Sequence, residues 1–241
     1  SNKDITFITN SQWITEKAKK SSLLKNKKII KLFNSFETKN FYEINKKTAK
    51  KRLKFKSNHK LILFGANNVM AKYKGLNFFY DAVNKLKIKN LKIGIIGNFW
   101  KELKFKKNDI NVRYFGYVNN YHKLRMIYSA ADVFVACSIQ DAFPKMPVES
   151  MLCGTPCAYF EKTSISEINK NSFTGYEAKY KSTLSLSKAI YKTINSKKKL
   201  GKNSRKFILK NFSQDVLTND LINIYSKINQ RKNLKFILKN I

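Results

Sequence analysis

Two acidic residues eight positions apart are the first feature of this sequence that could do chemistry. Asp141 lies in a polar segment after the apolar run Val133–Cys137, and Glu149 follows shortly after Pro147. A carboxylate offers two acceptor oxygens that match the paired hydroxyls of a polyol, and hydrogen bonds to a charged group contribute roughly 1.5–3 kcal/mol each. The pair could therefore hold two polyols at once. Alternatively, Asp141 is an ordinary loop residue and Glu149 a charge that stabilises a helix N-terminus.

The segment around this pair predicts a strand, a loop and a short helix. Val133–Cys137 is continuously apolar and rich in β-branched and aromatic residues, which is typical of a buried parallel strand. Pro147 suits the first position of a helix, which would place Glu149 in the first turn. Gly154 suits the position just after the helix. Because open α/β sheets bind ligands at the carboxyl ends of their strands, we expect Asp141 and Glu149 to lie at a binding site.

Strands and helices alternate along the chain from Leu61 to about Asn195. Short apolar runs predict further strands at Leu61–Phe64, Leu91–Ile96, Val112–Phe115 and Thr155–Phe160. Between them, apolar residues recur at helical spacing, for example from Leu76 to Leu86. This alternation predicts an α/β fold with a doubly wound, Rossmann-like parallel sheet.

A lysine and a glycine precede the first of these helices. Gly65 to Tyr73 is predicted to be a loop, and Lys74-Gly75 opens the helix that follows it. A helix N-terminus attracts anions through its free N–H groups and its dipole, and a lysine adds a full positive charge. Lys74 is therefore a candidate phosphate ligand, although the sequence contains many other lysines.

The formal net charge of +34 is the most unusual property of the composition. It suggests a nucleic-acid-binding module as an alternative function. However, the lysines are spread along the whole chain, no nucleic-acid-binding motif is present, and we expect no specific nucleic-acid partner. Part of the charge could favour an anionic membrane surface, at about 1 kcal/mol per basic residue close to the lipid.

The localisation is predicted from three features of the sequence. It has no apolar run of ~20 residues, no secretory signal, and three cysteines that lie outside any metal or redox motif. We therefore expect a cytoplasmic protein, with peripheral attachment to the inner face of the membrane as an option.

The stretch that contains the acidic pair resembles the donor-site signature of retaining GT-B glycosyltransferases, family 4 in particular. In that family an apolar strand ends near Pro-Ser and is followed by Glu-x-Phe-Gly and then by Glu-Ala-Met-x-x-Gly-Thr-Pro. The corresponding residues here are Cys137-Ser138, Asp141-Ala142-Phe143-Pro144 and Glu149-Ser150-Met151-Leu152-Cys153-Gly154-Thr155-Pro156. The spacing between the two acids is the same. The resemblance implies that this chain is the carboxyl-terminal half of a GT-B fold.

The resemblance also implies a reaction, in which a sugar moves from a nucleotide-sugar to an acceptor hydroxyl with retention at the anomeric carbon. Lys74 would hold the donor diphosphate and Asp141 would contact the transferred sugar, and these two are the candidate catalytic residues. Glu149 would bind the ribose diol. The full set of candidate donor-binding residues is Gly65, Lys74, Gly116, Tyr117, Val118, Asp141, Ala142, Phe143, Lys145 and Glu149. We expect no metal site and no cofactor, because cations would replace the metal and the nucleotide-sugar is a substrate.

Two departures from the family pattern keep other functions open. Ala66 stands where the family has an arginine that also holds the diphosphate, and Pro144 stands where it has a glycine. Lys72 or Lys145 could supply the absent charge, and otherwise the chain could be a catalytically degenerate relative. A glycoside hydrolase that uses both acids is a further alternative. It is disfavoured if both lie at a helix N-terminus, since that field keeps carboxylates ionised.

The resemblance extends to the start of the chain, where Ser11-Gln12-Trp13 and Phe33–Glu37 look like the end of the family's amino-terminal domain. We therefore expect three parts. Residues 1–56 would form the end of the acceptor domain with an interdomain linker, residues 57–200 the donor-binding domain, and residues 201–241 carboxyl-terminal helices. The expected partners are a nucleotide-sugar donor and an amino-terminal acceptor domain. The chain alone would be a donor-binding fragment with little transferase activity, from an enzyme of surface polysaccharide or glycoconjugate biosynthesis.

Overall fold

The computed structural model describes residues 5–36, 38–99 and 110–239, with side chains up to residue 228. Its strands are β1 (Thr6–Thr9), β2 (Lys28–Lys31), β3 (Lys60–Asn68), β4 (Leu91–Asn98), β5 (Asn111–Gly116), β6 (Val133–Ala136), β7 (Cys157–Phe160) and β8 (Gly175–Ala178). Its α-helices are α1 (Gln12–Lys20), α2 (Lys46–Arg52), α3 (Leu76–Asn84), α4 (Tyr121–Ala130), α5 (Lys145–Leu152), α6 (Ser164–Glu167), α7 (Thr183–Ile194), α8 (Leu200–Phe212) and α9 (Gln214–Lys239). None of the described helices is both long and apolar enough to cross a membrane.

The main sheet has six parallel strands in the order β5-β4-β3-β6-β7-β8. Numbered from β3 along the chain, this is the 3-2-1-4-5-6 order of a doubly wound sheet. The order reverses between β3 and β6, where Ile62 pairs with Val133 and Leu63 with Phe134. The predicted α/β fold with a doubly wound parallel sheet is thus confirmed. The crevice at this reversal, outside the carboxyl ends of the strands, is the place where such sheets bind ligands.

Alternating residues of the strands feed two apolar cores, one on each face of the sheet. In β3, Ile62 and Phe64 belong to the core under α3 and α7, whereas Leu61 and Leu63 belong to the core under α4, α5 and α8. All four side chains are almost completely buried. Fully burying a large apolar side chain stabilises the fold by about 1.5–3 kcal/mol, so these two layers hold the strand ends rigidly beneath the crevice.

The amino-terminal portion is a two-stranded parallel sheet, β1 with β2, covered by α1. A two-stranded sheet alone is marginally stable, and here it rests against the larger unit. The carboxylate of Glu167 accepts hydrogen bonds from the backbone N–H groups of Gln12 at 2.6 Å and Trp13 at 2.9 Å. These are orphan donors of the first turn of α1. Phe33 packs edge-on against Phe212 of α8 with ring centroids 5.1 Å apart.

The helix that connects the two portions is tied to the sheet by ion pairs. The ammonium of Lys50 on α2 lies 2.8 Å from the carboxylate of Asp132, which precedes β6, and Lys46 lies 3.4 Å from it. Asp132 also accepts the backbone N–H of Leu61 at 2.8 Å. These contacts lower the pKa of Asp132 although its burial acts in the opposite direction. The carboxylate thereby joins α2, β3 and β6 at the amino ends of the strands, away from the crevice.

Two predicted boundaries near the crevice are wrong. The segment after Phe64 is not a loop, because β3 continues to Asn68 beside β4 with a register shift. The helix after the polar loop begins at Lys145 rather than at Pro147. Proline is tolerated anywhere in a first turn, where the N–H groups have no intrahelical partner, so Pro147 does not mark the first position. Glu149 therefore lies beyond the first turn.

The structure also adds β8, which the sequence analysis did not predict. It is four residues long, contains a glycine and a glutamate, and lies at the sheet edge. Its sequence carries too little β-branched or alternating pattern to be recognised without its neighbour β7.

Candidate functional site

Two adjoining cavities lie at the carboxyl ends of β3 and β6. The first has a volume of about 320 Å³ and is called the Asp141 cavity, because Asp141 and Lys74 line it. The second has a volume of about 210 Å³ and is called the Glu149 cavity, because Glu149 lines it together with Tyr117 and Val118. Four residues line both cavities and form their junction: Ala66, Asn67, Lys145 and Met146. Each cavity thus contains one acid of the pair.

The Asp141 cavity is organised by an ion pair. Lys74 Nζ lies 2.6 Å from Asp141 Oδ2, and both side chains are largely buried, with 20% and 16% of their surface exposed. The backbone of the loop is fixed as well, since the hydroxyl of Ser164 on α6 donates to the carbonyl of Asp141 at 2.6 Å. The carboxylate therefore stands at a defined position with its charge balanced by a neighbouring ammonium.

A glycine explains how Lys74 reaches Asp141. The predicted helix begins after Gly75 as α3, and a single 3-10 turn, Lys72–Lys74, precedes it. Gly75 is in the left-handed conformation with φ +80°. A Cβ atom on Gly75 would lie 2.1 Å from the carbonyl oxygen of Cys137. Only glycine allows the turn to press against the end of β6 in this way, and the turn then places Lys74 beside the polar loop.

The Glu149 cavity has a different electrostatic character. Glu149 lies on α5, and its Oε2 accepts a hydrogen bond of 2.8 Å from the hydroxyl of Tyr128 on α4. Burial raises the pKa of Glu149, while the Tyr128 hydrogen bond and the charge of Lys145 act to lower it. Burial also raises the pKa of Tyr128 well above its ordinary value, and the negative charge of Glu149 raises it further. The phenol therefore stays protonated and acts as the donor.

The sequence does not identify Tyr128 as a candidate donor-binding residue. It belongs to the apolar stripe of α4 and is completely buried, so its spacing indicates only a core position. The available signal is chemical, because a buried tyrosine hydroxyl usually has a hydrogen-bond partner. The identity of that partner depends on how α4 packs against α5, which no local pattern reveals.

The junction between the cavities carries positive charge. Lys145 is the first residue of α5, and no described acid lies within ion-pair distance of it. The N-terminus of α5 adds partial positive charge at the same place. Ala66 is small and buried at the end of β3, so it leaves the position open where the family pattern has an arginine. The junction is therefore suited to an anionic group that bridges the two cavities.

The structure brings most of the predicted donor-binding residues together. Those that line the Asp141 cavity are Gly65, Lys74, Asp141, Phe143 and Lys145. Those that line the Glu149 cavity are Tyr117, Val118, Lys145 and Glu149. Gly116 and Ala142 are not among the residues that line either cavity.

The structure explains why a glycine stands at Gly116 and a phenylalanine at Phe143. Gly116 has φ +68°, and a Cβ atom there would meet nothing within 4 Å, so the left-handed turn at the end of β5 alone favours glycine. Phe143 is buried against Phe33, Phe36 and Phe212, with ring centroids 5.4–6.3 Å apart. The polar loop is thus anchored to the amino-terminal portion and to α8 through one aromatic side chain.

The position of Glu149 changes the argument about a hydrolase. Glu149 does not lie in the first turn of the helix as predicted, because α5 begins earlier, at Lys145. Burial raises the pKa of Glu149. A glycosidase needs two carboxyl groups on either side of one glycosidic bond, whereas Asp141 and Glu149 line separate cavities. The placement of the acids, rather than their ionisation, now disfavours this alternative.

The two acids and the cationic junction lie at the switch point of the sheet, where doubly wound sheets bind their ligands. Residues 45–207 match the family model of glycosyl transferases group 1, and the chain belongs to this family. Its fold is that of a GT-B Rossmann-like domain. No curated protein matches it by sequence.

Several solved structures share the fold at low sequence identity. Sucrose-phosphate synthase from Thermosynechococcus elongatus superimposes with a TM-score of 0.79 at 18% identity, over 94% of this chain and 59% of that one. HepE from Anabaena, in complex with UDP and glucose, gives a TM-score of 0.72 at 15% identity, over 91% of this chain and 62% of that one. The carboxyl-terminal domain of the group 1 protein LpcC from Francisella tularensis gives 0.62 at 20% identity, over 74% and 99%. The chain thus spans about three fifths of the first two proteins.

Proposed function

We propose that the chain is the donor-binding part of a glycosyltransferase that moves a sugar from a nucleotide-sugar to an acceptor hydroxyl with retention. The observation that carries this proposal is the pair of adjoining cavities at the switch point, each with one acid and with a cationic junction between them. A nucleotide-sugar has two diol-bearing ends joined by a diphosphate. The order of charges along the crevice, acid, cation and acid, is complementary to that ligand.

The proposed donor pose follows from this order. The ribose diol binds the carboxylate of Glu149, and the base meets the backbone of the turn Gly116–Val118. The diphosphate crosses the junction beside Lys145 and the N-terminus of α5. The sugar enters the Asp141 cavity, where the carboxylate of Asp141 accepts hydrogen bonds from its hydroxyls and Lys74 balances the charge.

In the proposed reaction, the bond between the anomeric carbon and the diphosphate oxygen breaks while the acceptor oxygen bonds to the same carbon, and the proton of the acceptor hydroxyl passes to the departing diphosphate. Negative charge grows on the departing diphosphate. Lys74 and Lys145 would stabilise it, and loss of one preorganised donor of this kind typically lowers a rate by about 10²–10³. We propose that these cations act without a metal ion.

The proposal includes partners and a division of the chain. Residues 1–56 would complete an amino-terminal acceptor domain, residues 57–200 would bind the donor, and residues 201–241 would pack as carboxyl-terminal helices. The two-stranded sheet β1–β2 supports this division, because such a sheet is marginally stable by itself. The net charge of +34 supports peripheral contact with an anionic membrane. A surface polysaccharide or glycoconjugate is the proposed class of acceptor product.

Titration calorimetry with UDP and GDP, and with a hexose-linked form of each, tests the function directly. UDP is included because HepE was solved with it. We expect saturable, one-site binding of at least one nucleotide and tighter binding of its sugar conjugate. The affinity should change little with salt concentration. Absence of binding by all four compounds would contradict the proposal.

Nucleic-acid binding is the second candidate, and the net charge is the observation that favours it. Binding of this kind would be indifferent to sequence, and its affinity would fall steeply as salt increases, because phosphate contacts release counterions. A duplex of random sequence titrated at two salt concentrations distinguishes it from the nucleotide site. Tight, salt-sensitive duplex binding together with no nucleotide binding would favour the second candidate.

A further inference from the structure

Glu149 is held by a single side-chain hydrogen bond. Tyr128 donates to its Oε2 at 2.8 Å, and no other described residue donates to this carboxylate. Both side chains line the Glu149 cavity. Since a carboxylate has two oxygens with about four lone-pair sites, the Tyr128 contact occupies one side of the group and leaves acceptor positions for a ligand.

We propose that Tyr128 is a positioning residue of the nucleoside site, which fixes Glu149 through Oε2 and leaves Oε1 to accept from a ribose hydroxyl. This inference rests on the proposed function, since it assumes that Glu149 binds the ribose. The rigidity of the arrangement supports it. Tyr128 is completely buried, its ring lies 6.2 Å from those of Phe41 and Phe134, and the hydroxyl of Thr155 donates to its backbone carbonyl at 2.6 Å.

The hydrogen bond has an electrostatic consequence. Burial disfavours the charged form of Glu149, and the Tyr128 hydroxyl opposes this by donating to the carboxylate. On the same helix, Lys145 also favours the charged form. On α8, Arg205 acts on the thiol of Cys153 and donates to the carbonyl of Leu152.

The titratable residues that line the cavity wall opposite α5 are tyrosines. They are Tyr117 and Tyr121, and β6 has no titratable side chain. Loss of the Tyr128 hydroxyl should therefore shift the ionisation of Glu149 toward higher pH.

Tyr128→Phe in the full chain tests the inference. We expect the carbon-13 shift of the Glu149 carboxyl to titrate at higher pH in this variant than in the unchanged protein. We also expect UDP affinity to fall about tenfold, because the Glu149 side chain is no longer held in place before the ligand binds. The loss should grow as pH decreases through the raised pKa of Glu149, because a protonated carboxyl accepts poorly. Tyr159→Phe is the matched control, since Tyr159 is equally buried and lines neither cavity.

The same measurements on Tyr128→Phe, Tyr159→Phe and Glu149→Ala distinguish the possible outcomes. An unchanged carboxyl titration and unchanged UDP affinity in Tyr128→Phe, while Glu149→Ala loses UDP, would overturn the role of Tyr128 and leave the nucleoside site intact. If Tyr159→Phe matched Tyr128→Phe in both measurements, the effect would be general loosening of the core, and the inference would be wrong. If Glu149→Ala bound UDP as well as the unchanged chain, the ribose assignment itself would fail, and the inference with it.

Discussion

The Asp141 cavity and the Glu149 cavity hold two acids of one motif in opposite surroundings. Asp141 is neutralised by an ammonium 2.6 Å away, whereas Glu149 is partly buried and accepts a hydrogen bond from a neutral phenol. In the first arrangement the neighbouring ammonium balances the carboxylate and holds it in place. The second leaves a carboxylate whose charge depends on pH and on one hydrogen bond. The comparison indicates that the two acids recognise hydroxyls by different means, and that substitutions should separate their roles.

Among substitutions that distinguish the two cavities, Glu149→Ala should cause the largest loss of affinity. Two hydrogen bonds from a ribose diol to a carboxylate, at roughly 1.5–3 kcal/mol each, correspond to a loss of at least ~100-fold in affinity. We expect this loss for UDP and for its sugar conjugate alike, because the nucleoside is common to both. Calorimetry measures it, with Glu16→Ala on the exposed face of α1 as control. Retained affinity for UDP would mean that the Glu149 cavity does not bind the ribose.

Lys145→Met should affect both cavities, because Lys145 lines their junction. Loss of one charged contact to a diphosphate should weaken UDP binding by about ten- to a hundredfold and reduce its dependence on salt. Lys72→Met is the matched control, since Lys72 is also exposed and near the crevice but lines neither cavity. Equal effects of the two substitutions would show that general positive charge, rather than the junction, attracts the ligand.

Asp141→Asn should sharpen the comparison by acting on one cavity alone. The sugar conjugate should lose about tenfold in affinity, since a neutral amide accepts more weakly than a carboxylate and Lys74 is left without its partner. UDP, which has no sugar, should bind as before or slightly better, because Lys74 becomes free to approach the phosphate. A parallel loss for UDP would show that the two cavities do not divide the donor as proposed.

Local pattern was sufficient to predict the architecture around these acids. The run Val133–Cys137 indicates a buried strand, and β6 forms at Val133–Ala136. The Lys74–Asp141 ion pair could not be predicted in the same way, because its partners are 67 residues apart. Their meeting depends on Gly75 packing against the end of β6.

Tyr128 also shows what sequence periodicity cannot predict. Its position on an apolar stripe predicts burial correctly, but its hydroxyl has a function that burial alone does not reveal. The start of α5 was misplaced because proline is tolerated throughout a first turn. Sequence periodicity therefore determines which faces are buried, whereas contacts between side chains on different elements determine how each acid is tuned.

The smallest expected effect is the pH dependence of UDP binding by the unchanged chain. Burial raises the pKa of Glu149 in the free protein, and a bound diol favours the ionised form. Affinity should therefore be full above that pKa and fall, by several-fold, as pH decreases through it. In Glu149→Gln the amide does not titrate, so whatever UDP binding is left should lose this dependence. If Glu149→Gln kept the pH dependence of the unchanged chain, Glu149 would not be the group whose titration controls UDP binding.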